Sequence, residues 1–382
     1  MIEYLLHITL RDYCLIGCLA VLFIYQVYFY ARYIAAVRRQ QRRLRKQTPT
    51  QPSIQPGVSV IVCAHNEETN LKTYIQSLLT QKYPEYEVII VDDGSEDKTR
   101  ETIEELMRYD KRVKTTFVPK GARVRSTKKL ALTLACKRAT YDYLLLTDAD
   151  CRPESSLWIS EIMRGFEKPG TEIVLGFGAY FPEKSAVNRL IQYDTLFNGL
   201  QYMGMAIAHH PYMGVGRNLA YKKDLFVRTG GFSTMMNERA GDDDLFVNRV
   251  ATKTNTAVVT SRESMTWSLA KETMYDWLIQ KRRHVSVSPN YGAASKFRLT
   301  IEPLTRGGFY LMVILAVLGH PISWAAAGVL FITRLIVQML IINLSAKHLG
   351  LPKFDLRVIL YDIYLPLVSL WMLITRRKNY KW

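Results

Sequence analysis

The sequence predicts an α/β domain, a mostly parallel sheet with helices on both faces, flanked by membrane helices at both ends. Three observations carry this. Short apolar runs alternate with segments of helical period between residues 58 and 146. Residues 13–31 are apolar and uncharged, and residues 307–333 contain no Asp, Glu, Lys or Arg. Alternating strands and helices imply parallel βαβ units with both sheet faces covered, and uncharged stretches of such length suit a bilayer.

The N-terminal stretch is followed at once by Arg38, Arg39, Arg42, Arg43, Arg45 and Lys46. Basic residues beside a span mark its cytoplasmic side. The expected topology is an outside N-terminus, one crossing, then cytosol. A cleaved signal peptide would need its basic residues ahead of the apolar part, whereas Glu3, Arg11 and Asp12 stand there without a positive excess. Much of the formal net charge of +17 therefore belongs to the membrane flank, and no nucleic-acid partner is expected. The five cysteines are scattered and suggest neither a disulfide framework nor a zinc site. They fit a reducing cytosolic compartment.

The Pro-rich segment at 48–57 reads as linker. Residues 58–63, 86–91, 113–118 and 143–146 read as strands, and 68–80, 97–109 and 127–139 as helices. Leu71, Ile75, Leu78 and Leu79 supply the helical spacing of the first of these. Beyond Pro153 the pattern loosens: helices are expected at 155–166, 187–208, 243–251 and 273–284, and a strand at 173–178. The apolar region after 307 reads as a hairpin broken at His320-Pro321, with spans near 307–319 (starting as early as Pro303) and 323–344. A charge at Arg334 inside the second span must face protein or snorkel. Residues 358–375 carry Asp362 and Pro366 and end in Arg376, Arg377, Lys378 and Lys381, so an interfacial or re-entrant helix with a cytosolic C-terminus is favoured over a third C-terminal crossing. The expected organisation is a membrane anchor at 1–34, a basic linker at 35–57, the α/β domain at 58–300, a transmembrane hairpin at 301–346, and an interfacial or third membrane helix with a basic tail at 347–382.

Four polar clusters fall where a parallel sheet builds its site, beyond the carboxyl ends of the strands. They are Ala64-His65-Asn66-Glu67-Glu68, Asp92-Asp93-Gly94-Ser95, Asp148-Ala149-Asp150 and Gly241-Asp242-Asp243-Asp244. Any one alone reads as a turn or cap. Paired carboxylates at a strand end are also oxygen ligands suited to Mg²⁺ or Mn²⁺ shared with a nucleotide diphosphate. His209-His210 is not a metal pair, since adjacent strand residues point to opposite faces.

The run Val58-Ser-Val-Ile-Val-Cys-Ala-His-Asn66-Glu67, the run Val88-Ile-Ile-Val-Asp92-Asp93-Gly94-Ser95 and Asp148-Ala-Asp150 resemble the inverting family 2 glycosyltransferases of GT-A fold, in their membrane-bound branch. Gly214-Val-Gly216-Arg-Asn218-Leu-Ala-Tyr is similar to that family's acceptor-side segment, Gly241-Asp242-Asp243 to its paired-acid catalytic motif, and Gln280-Lys-Arg-Arg283-His284 to its Gln-x-x-Arg-Trp motif, with His in place of Trp. The resemblance spans roughly residues 58–290.

It implies that Ala64, Asn66, Glu67, Asp92, Asp93, Lys128 and Asp148 bind the nucleotide sugar, with Asp93 accepting from a uracil N–H and Lys128 near the diphosphate. Asp150, with Asp148 in support, would hold Mn²⁺ or Mg²⁺. Gly216, Asn218, Gln280, Arg283 and His284 would serve the acceptor and diphosphate, and the loss of the Trp weakens the case for a processive polymerase. The general base falls on Asp243, with Asp242 as the fallback because three consecutive aspartates leave the register open by one.

The implied activity moves a sugar from a nucleotide-diphosphate donor, a UDP-sugar, to a lipid-linked or cell-surface glycan acceptor. The implied setting is integral in a bacterial inner membrane, with the catalytic domain cytosolic and lipids as partners. A transferase using polyprenyl phosphate as nucleophile, and a catalytically silent nucleotide-sugar-binding protein, are the alternatives.

Overall fold

The computed structural model describes residues 9–44, 55–119, 124–238 and 240–375. Arg45, Lys46, most of the Pro-rich segment and the basic residues after Thr375 lie outside them.

Strand β1 (Val58–Ala64) pairs in parallel with β2 (Tyr86–Asp92) on one side and β4 (Tyr143–Asp148) on the other, and β3 (Val113–Phe117) adds beyond β2. The register sets Ala64 opposite Asp92 and Cys63 opposite Asp148, so the acidic strand ends are flush. Side chains alternate between two cores, as the period of a strand requires. Val58, Val60 and Val62 face one with Val88, Ile90 and Leu145, while Ile61 faces the other with Ile89, Val91, Leu144 and Leu146. Helices α3 (Glu68–Leu79), α4 (Thr99–Tyr109) and α5 (Thr127–Arg138) make the crossovers.

Beyond β4 the sheet turns mixed. Its strands are β8 (Leu219–Lys222), antiparallel to β4 and β6, then β6 (Ile173–Leu175) and β9 (Thr256–Val258), in the order β3-β2-β1-β4-β8-β6-β9. Because β8 runs against β4, the turn Gly216–Asn218 that precedes it sits at the carboxyl end of β4. The single strand expected at 173–178 is two. β7 (Gly178–Tyr180) leaves the main sheet and pairs in parallel with β10 (Thr266–Ser268), which also pairs with β5 (Arg152–Pro153). The break falls at Gly176, where a Cβ would lie 2.5 Å from the Asn218 amide nitrogen.

The later helices are α6 (Trp158–Met163), α7 (Ala186–Ile207), α8 (Lys223–Arg228), α9 (Asp244–Val250) and α10 (Met274–Val287); α7, α9 and α10 lie where the spacing places them, α6 gives way to a 3-10 turn at Arg164–Glu167, and α8 is an addition to the expected set.

Among the described residues, four helices are long and apolar enough to cross a membrane. The first, α1 (Leu10–Phe29), runs through a π-turn at Tyr30–Ile34 into α2 (Ala36–Leu44). The expected linker therefore begins as a helix. Val37 and Gln41 are buried, Gln40 donates to the Val258 carbonyl and Thr260 donates to Gln41. The arginines stay on the other side. At the π-turn the anchor meets the catalytic domain backbone to backbone: a Cβ on Gly204 of α7 would lie 1.9 Å from the Tyr33 carbonyl oxygen. The hairpin is α11 (Ala293–Val317) and α12 (Pro321–His348). α11 starts well before Pro303, which removes the difficulty of a short first span.

α13 (Arg357–Ile374) is one continuous helix. Tyr361 packs on Tyr193 of α7, and Trp371 lies under Arg282 of α10, so α13 lies against the catalytic domain. It also sends Asp362 into the helical cluster. Asp362 is wholly buried, paired with Arg306 of α11 and Arg334 of α12 at 2.9 Å each, and it accepts from Tyr310 at 2.7 Å. Glu302 pairs with Arg306, and Gln26 and Tyr30 of α1 join through Arg334 and Gln338. The charge at Arg334 thus faces protein, as membrane placement demands. At the far end Asp12 of α1 caps α12, accepting from His320 N–H at 3.0 Å and Ser323 Oγ at 3.1 Å. The hairpin tip and the start of α1 therefore share the end remote from the catalytic domain.

Candidate active site

The loops at the carboxyl ends of β1, β2 and β4 form one floor. After β1, Asn66 takes the left-handed conformation (φ 58°), which Asn tolerates better than most residues. Its N–H donates to Ser95 Oγ and its side-chain oxygen accepts from Glu96 N–H. Asp92 accepts from Ser95 N–H at 2.9 Å. Asn66 and Asp92 therefore lock the two loops together. Asp93 N–H donates to the Ala64 carbonyl, and the Asp93 carbonyl accepts from His65. The Asp93 carboxylate accepts from Thr127 at 2.9 Å through Oδ2, while Oδ1 is buried without a partner among the described residues. Burial raises the Asp93 pKa above its ordinary value, against the opposing effects of Thr127 and His65. An orphaned buried acceptor of this kind is costly unless a ligand N–H meets it.

Lys128, on the first turn of α5, reaches both acidic clusters. Its ammonium lies 3.1 Å from Asp148 Oδ1 and 3.4 Å from Asp242 Oδ2. Desolvation opposes its charge, but Asp148 and Asp242 outweigh that and raise its pKa. Asp148, Asp150 and Cys151 bring one ligand atom each within 4.8 Å of one another. Asp150 is oriented by Ser268 Oγ at 2.8 Å and by the Cys151 thiol at 3.3 Å. Glu67 lies close enough for both aspartates to act on it. Burial, Asp150 and Asp148 raise its pKa against a hydrogen bond from Asn70.

The three consecutive aspartates have three environments. Asp242 faces Lys128, whose charge outweighs the desolvation and holds the Asp242 carboxyl below the usual carboxylate range. Asp243 caps α9, accepting from Asp244 N–H and from Gly216 N–H, both at 2.7 Å. Burial and the neighbouring Asp242 charge push its pKa up. Asp244 is buried, accepts from Tyr291 at 2.8 Å, and is raised to about 7 by burial and by Asp243. Gly216 thus holds Asp243 through its backbone.

Asn218 turns away from the cleft. It is fully buried, donates to the Phe177 and Ser264 carbonyls and accepts from Trp158, so it supports the wall. On α10, Gln280 donates to the Tyr180 hydroxyl at 3.2 Å. Arg283 and His284 are exposed at the rim. Although the His284 ring keeps contact with solvent, the protein around it, Arg283 and Arg217 push its pKa down, and it stands neutral at pH 7.

Two cations that the sequence reading did not single out complete the site. Lys129 is wholly buried beside Lys128. Its ammonium donates to the carbonyls of Met235, Glu238 and Ala240 at 2.9, 2.6 and 2.7 Å, which uses all three donors of a lysine. Arg217 lies over the Tyr180 ring, 4.3 Å from its centroid. Its place between Gly216 and Asn218, just ahead of an apolar strand, is the signal that could have found it. Nothing in the sequence marks Lys129, whose partners are carbonyls of a distant loop.

The description Glycosyl transferase family 2 matches residues 59–238, which hold three of the four acidic clusters. An uncharacterised glycosyltransferase of Haemophilus influenzae is 32% identical over 125 residues, 33% of this chain and 36% of that protein. The poly-beta-1,6-N-acetyl-D-glucosamine synthase of Staphylococcus epidermidis is 35% identical over 94 residues, 25% of this chain and 22% of that enzyme. A probable glycosyltransferase of Bacillus subtilis is 24% identical over 238 residues, 60% of this chain and 54% of that protein. The chain thus spans 36% or less of the first two of these relatives. Among solved structures, a mannosyltransferase from Pyrobaculum calidifontis in complex with GDP-Man and Mn²⁺ covers 94% of this chain and 99% of its own, with a TM-score of 0.58 and 19% identity, a likeness of fold. The flush acidic strand ends, the mixed sheet and these matches agree: residues 59–238 match the glycosyl transferase family 2 description, and the fold is GT-A.

Proposed function

We propose that the protein is a membrane-bound inverting glycosyltransferase that moves a sugar from a nucleotide-diphosphate donor, a UDP-sugar, to a lipid-linked or cell-surface glycan. The observation that carries this reading is Lys128. One ammonium contacts both Asp148 and Asp242, so the donor-side acids and the base-side acids share a single cleft. The S. epidermidis polysaccharide synthase supports a glycan product, and the GDP-Man bound by the P. calidifontis mannosyltransferase supports a nucleotide-sugar donor. The apolar helices at both ends support a membrane setting, and the arginines that follow the first of them support a cytosolic side for the catalytic domain.

In this reading the unpartnered Asp93 oxygen receives the base N–H of the nucleotide, while Asn66 and Asp92 keep the loop rigid beneath it. Asp148 and Asp150 supply hard oxygen donors that fit Mn²⁺ or Mg²⁺, as the metal bound by the P. calidifontis enzyme supports. Such an ion stabilises negative charge on a departing diphosphate as a Lewis acid. Lys128 adds positive charge on the same side.

Displacement with inversion needs a base on the opposite face of the sugar. Asp243 suits that task. Its carboxylate is fixed by two backbone N–H groups, and its raised pKa brings it nearer the operating pH, where general bases work best. Asp242 is kept ionised by Lys128 and holds that cation in place. The two environments push adjacent pKa values apart, the pattern that separates roles within an acidic pair.

The test is a pair of variants assayed for turnover and nucleotide binding. Asp243→Asn should lose about 10²-fold or more in turnover with nucleotide binding kept. Full activity in Asp243→Asn and loss in Asp242→Asn would move the base by one residue. Full activity in both would refute an aspartate base here and favour an acceptor that is already ionised, such as a polyprenyl phosphate.

A further inference from the structure

Arg217 is built into the cleft with unusual care for a residue that carries no assigned role. Its carbonyl accepts from Thr147 at the end of β4 and from Thr266 of β10, both at 3.1 Å, which pins its backbone beside Asp148. Gly178 leaves the floor open for its side chain: a Cβ there would stand 3.3 Å from the Arg217 Cβ and 3.5 Å from its Nε. Tyr180 supports the guanidinium face, and Gln280 holds the Tyr180 hydroxyl in turn. Its Nη2 makes one long bond, 3.4 Å, to the Gly178 carbonyl. Nη1 is buried and has no hydrogen-bond partner among the described residues.

A buried charged donor without a partner is expensive, so its setting calls for a ligand. Tyr180, Cys151, Asp150 and Asp148 all act on the Arg217 charge, and Arg217 acts on His284. Thr147 fixes the Arg217 backbone at the end of β4 beside Asp148, and the Tyr180 ring beneath its side chain is held by Gln280 of α10, so the guanidinium lies between the paired acids and α10. Neither acid reaches it with a hydrogen bond, although both lie within electrostatic range. A planar fork of donors in that position matches a phosphate, which Arg binds better than Lys because it presents parallel N–H groups.

We propose that Arg217 is a phosphate-binding residue of the cleft, its Nη1 donating to a phosphoryl oxygen seated between Asp148–Asp150 and His284. This rests on the glycosyltransferase reading above. Two sources share the chemistry: the diphosphate of the nucleotide donor and the phosphate of a lipid-linked acceptor.

The experiment is calorimetric titration of the full-length protein in detergent, with Mn²⁺ present. Wild type, Arg217→Gln and Arg217→Lys are titrated with UDP, GDP, the matching nucleosides and polyprenyl phosphate. Thermal midpoints confirm that each variant is folded, and the lysine variant keeps the charge if the glutamine one is not. Arg217→Gln should bind its phosphate ligand about 10- to 100-fold more weakly, the worth of one charge-assisted hydrogen bond. Nucleoside binding should be unchanged, and Arg217→Lys should recover only part of the loss. A loss confined to the nucleotide diphosphates assigns the donor, and one confined to polyprenyl phosphate assigns the acceptor. Unchanged affinity for every phosphate ligand in folded Arg217→Gln overturns the proposal and leaves the glycosyltransferase reading standing. A wild type that binds no phosphate ligand at all overturns both.

Discussion

Asp242, Asp243 and Asp244 are chemically identical and adjacent, yet the fold gives each a different task. Asp242 is held ionised against Lys128, Asp243 is the raised and oriented carboxylate, and Asp244 is buried under Tyr291. Because Lys128 lowers the Asp243 pKa, Lys128→Met should move the acid limb of the pH–rate profile to higher pH at saturating donor, and an unmoved limb would count against Asp243 as the base. Asp244 makes a separate prediction for stability. Its folded pKa is raised to about 7, so its protonated form is the favoured one in the native state. The stability it contributes is full below the ordinary carboxylate range and is lost as pH rises through about 7. Asp244→Asn, which can still accept from Tyr291, should lose less stability than wild type between about pH 5 and about pH 8. Thermal midpoints at the two pH values decide this, and equal slopes would refute it.

Among the elements, α5 is the one on which the site turns. Its first turn sends Lys128 into the cleft and Lys129 beneath the loop that leads to Asp242. Lys129→Met would take the donor from the buried Met235 carbonyl, at a cost of about 1–3 kcal/mol, and from the half-buried Glu238 and Ala240 carbonyls as well. A lowered urea midpoint together with lost turnover is expected, and a midpoint equal to wild type would contradict it. The sequence shows the parallel half of the sheet well, because β1, β2 and β4 are largely buried apolar runs that lead into polar residues. β8 and β9 were not legible. They are four and three residues long and are chosen by pairing partners, not by period. The split of the 173–178 strand was hidden for a similar reason, since the close approach of Asn218 to Gly176 involves residues far apart in sequence. α2 was taken for linker because its arginines mask the buried face made by Val37 and Gln41. Asn218 shows the limit of motif reading: its amide is consumed by Phe177, Ser264 and Trp158, while the residue before it faces the acids.

Over the whole molecule, a polar network ties the apolar helices to one another, and the π-turn and α13 tie them to the catalytic domain. Asp362 is its centre, linked to α11 and α12 by ion pairs and to α1 through Tyr30 and Arg334. Asp362→Ala would leave buried Arg334 without a carboxylate and Arg306 with Glu302 alone, and should cost about 3–5 kcal/mol, visible as a lower thermal midpoint in detergent. A midpoint matching wild type would mean that the network does not hold the helices together. The arrangement sets α10, which carries Gln280 at the cleft, against α13. The central claim, that this cleft transfers sugar from a nucleotide donor, is tested most directly by nucleotide release from the purified full-length protein. A panel of UDP- and GDP-sugars with Mn²⁺, Mg²⁺ or EDTA is assayed, with lipid-linked acceptors supplied, beside Asp150→Ala. Release from one donor that needs the metal and is lost in Asp150→Ala is the predicted result. Nucleotide binding without release from any donor, or release indifferent to both EDTA and Asp150→Ala, would contradict it.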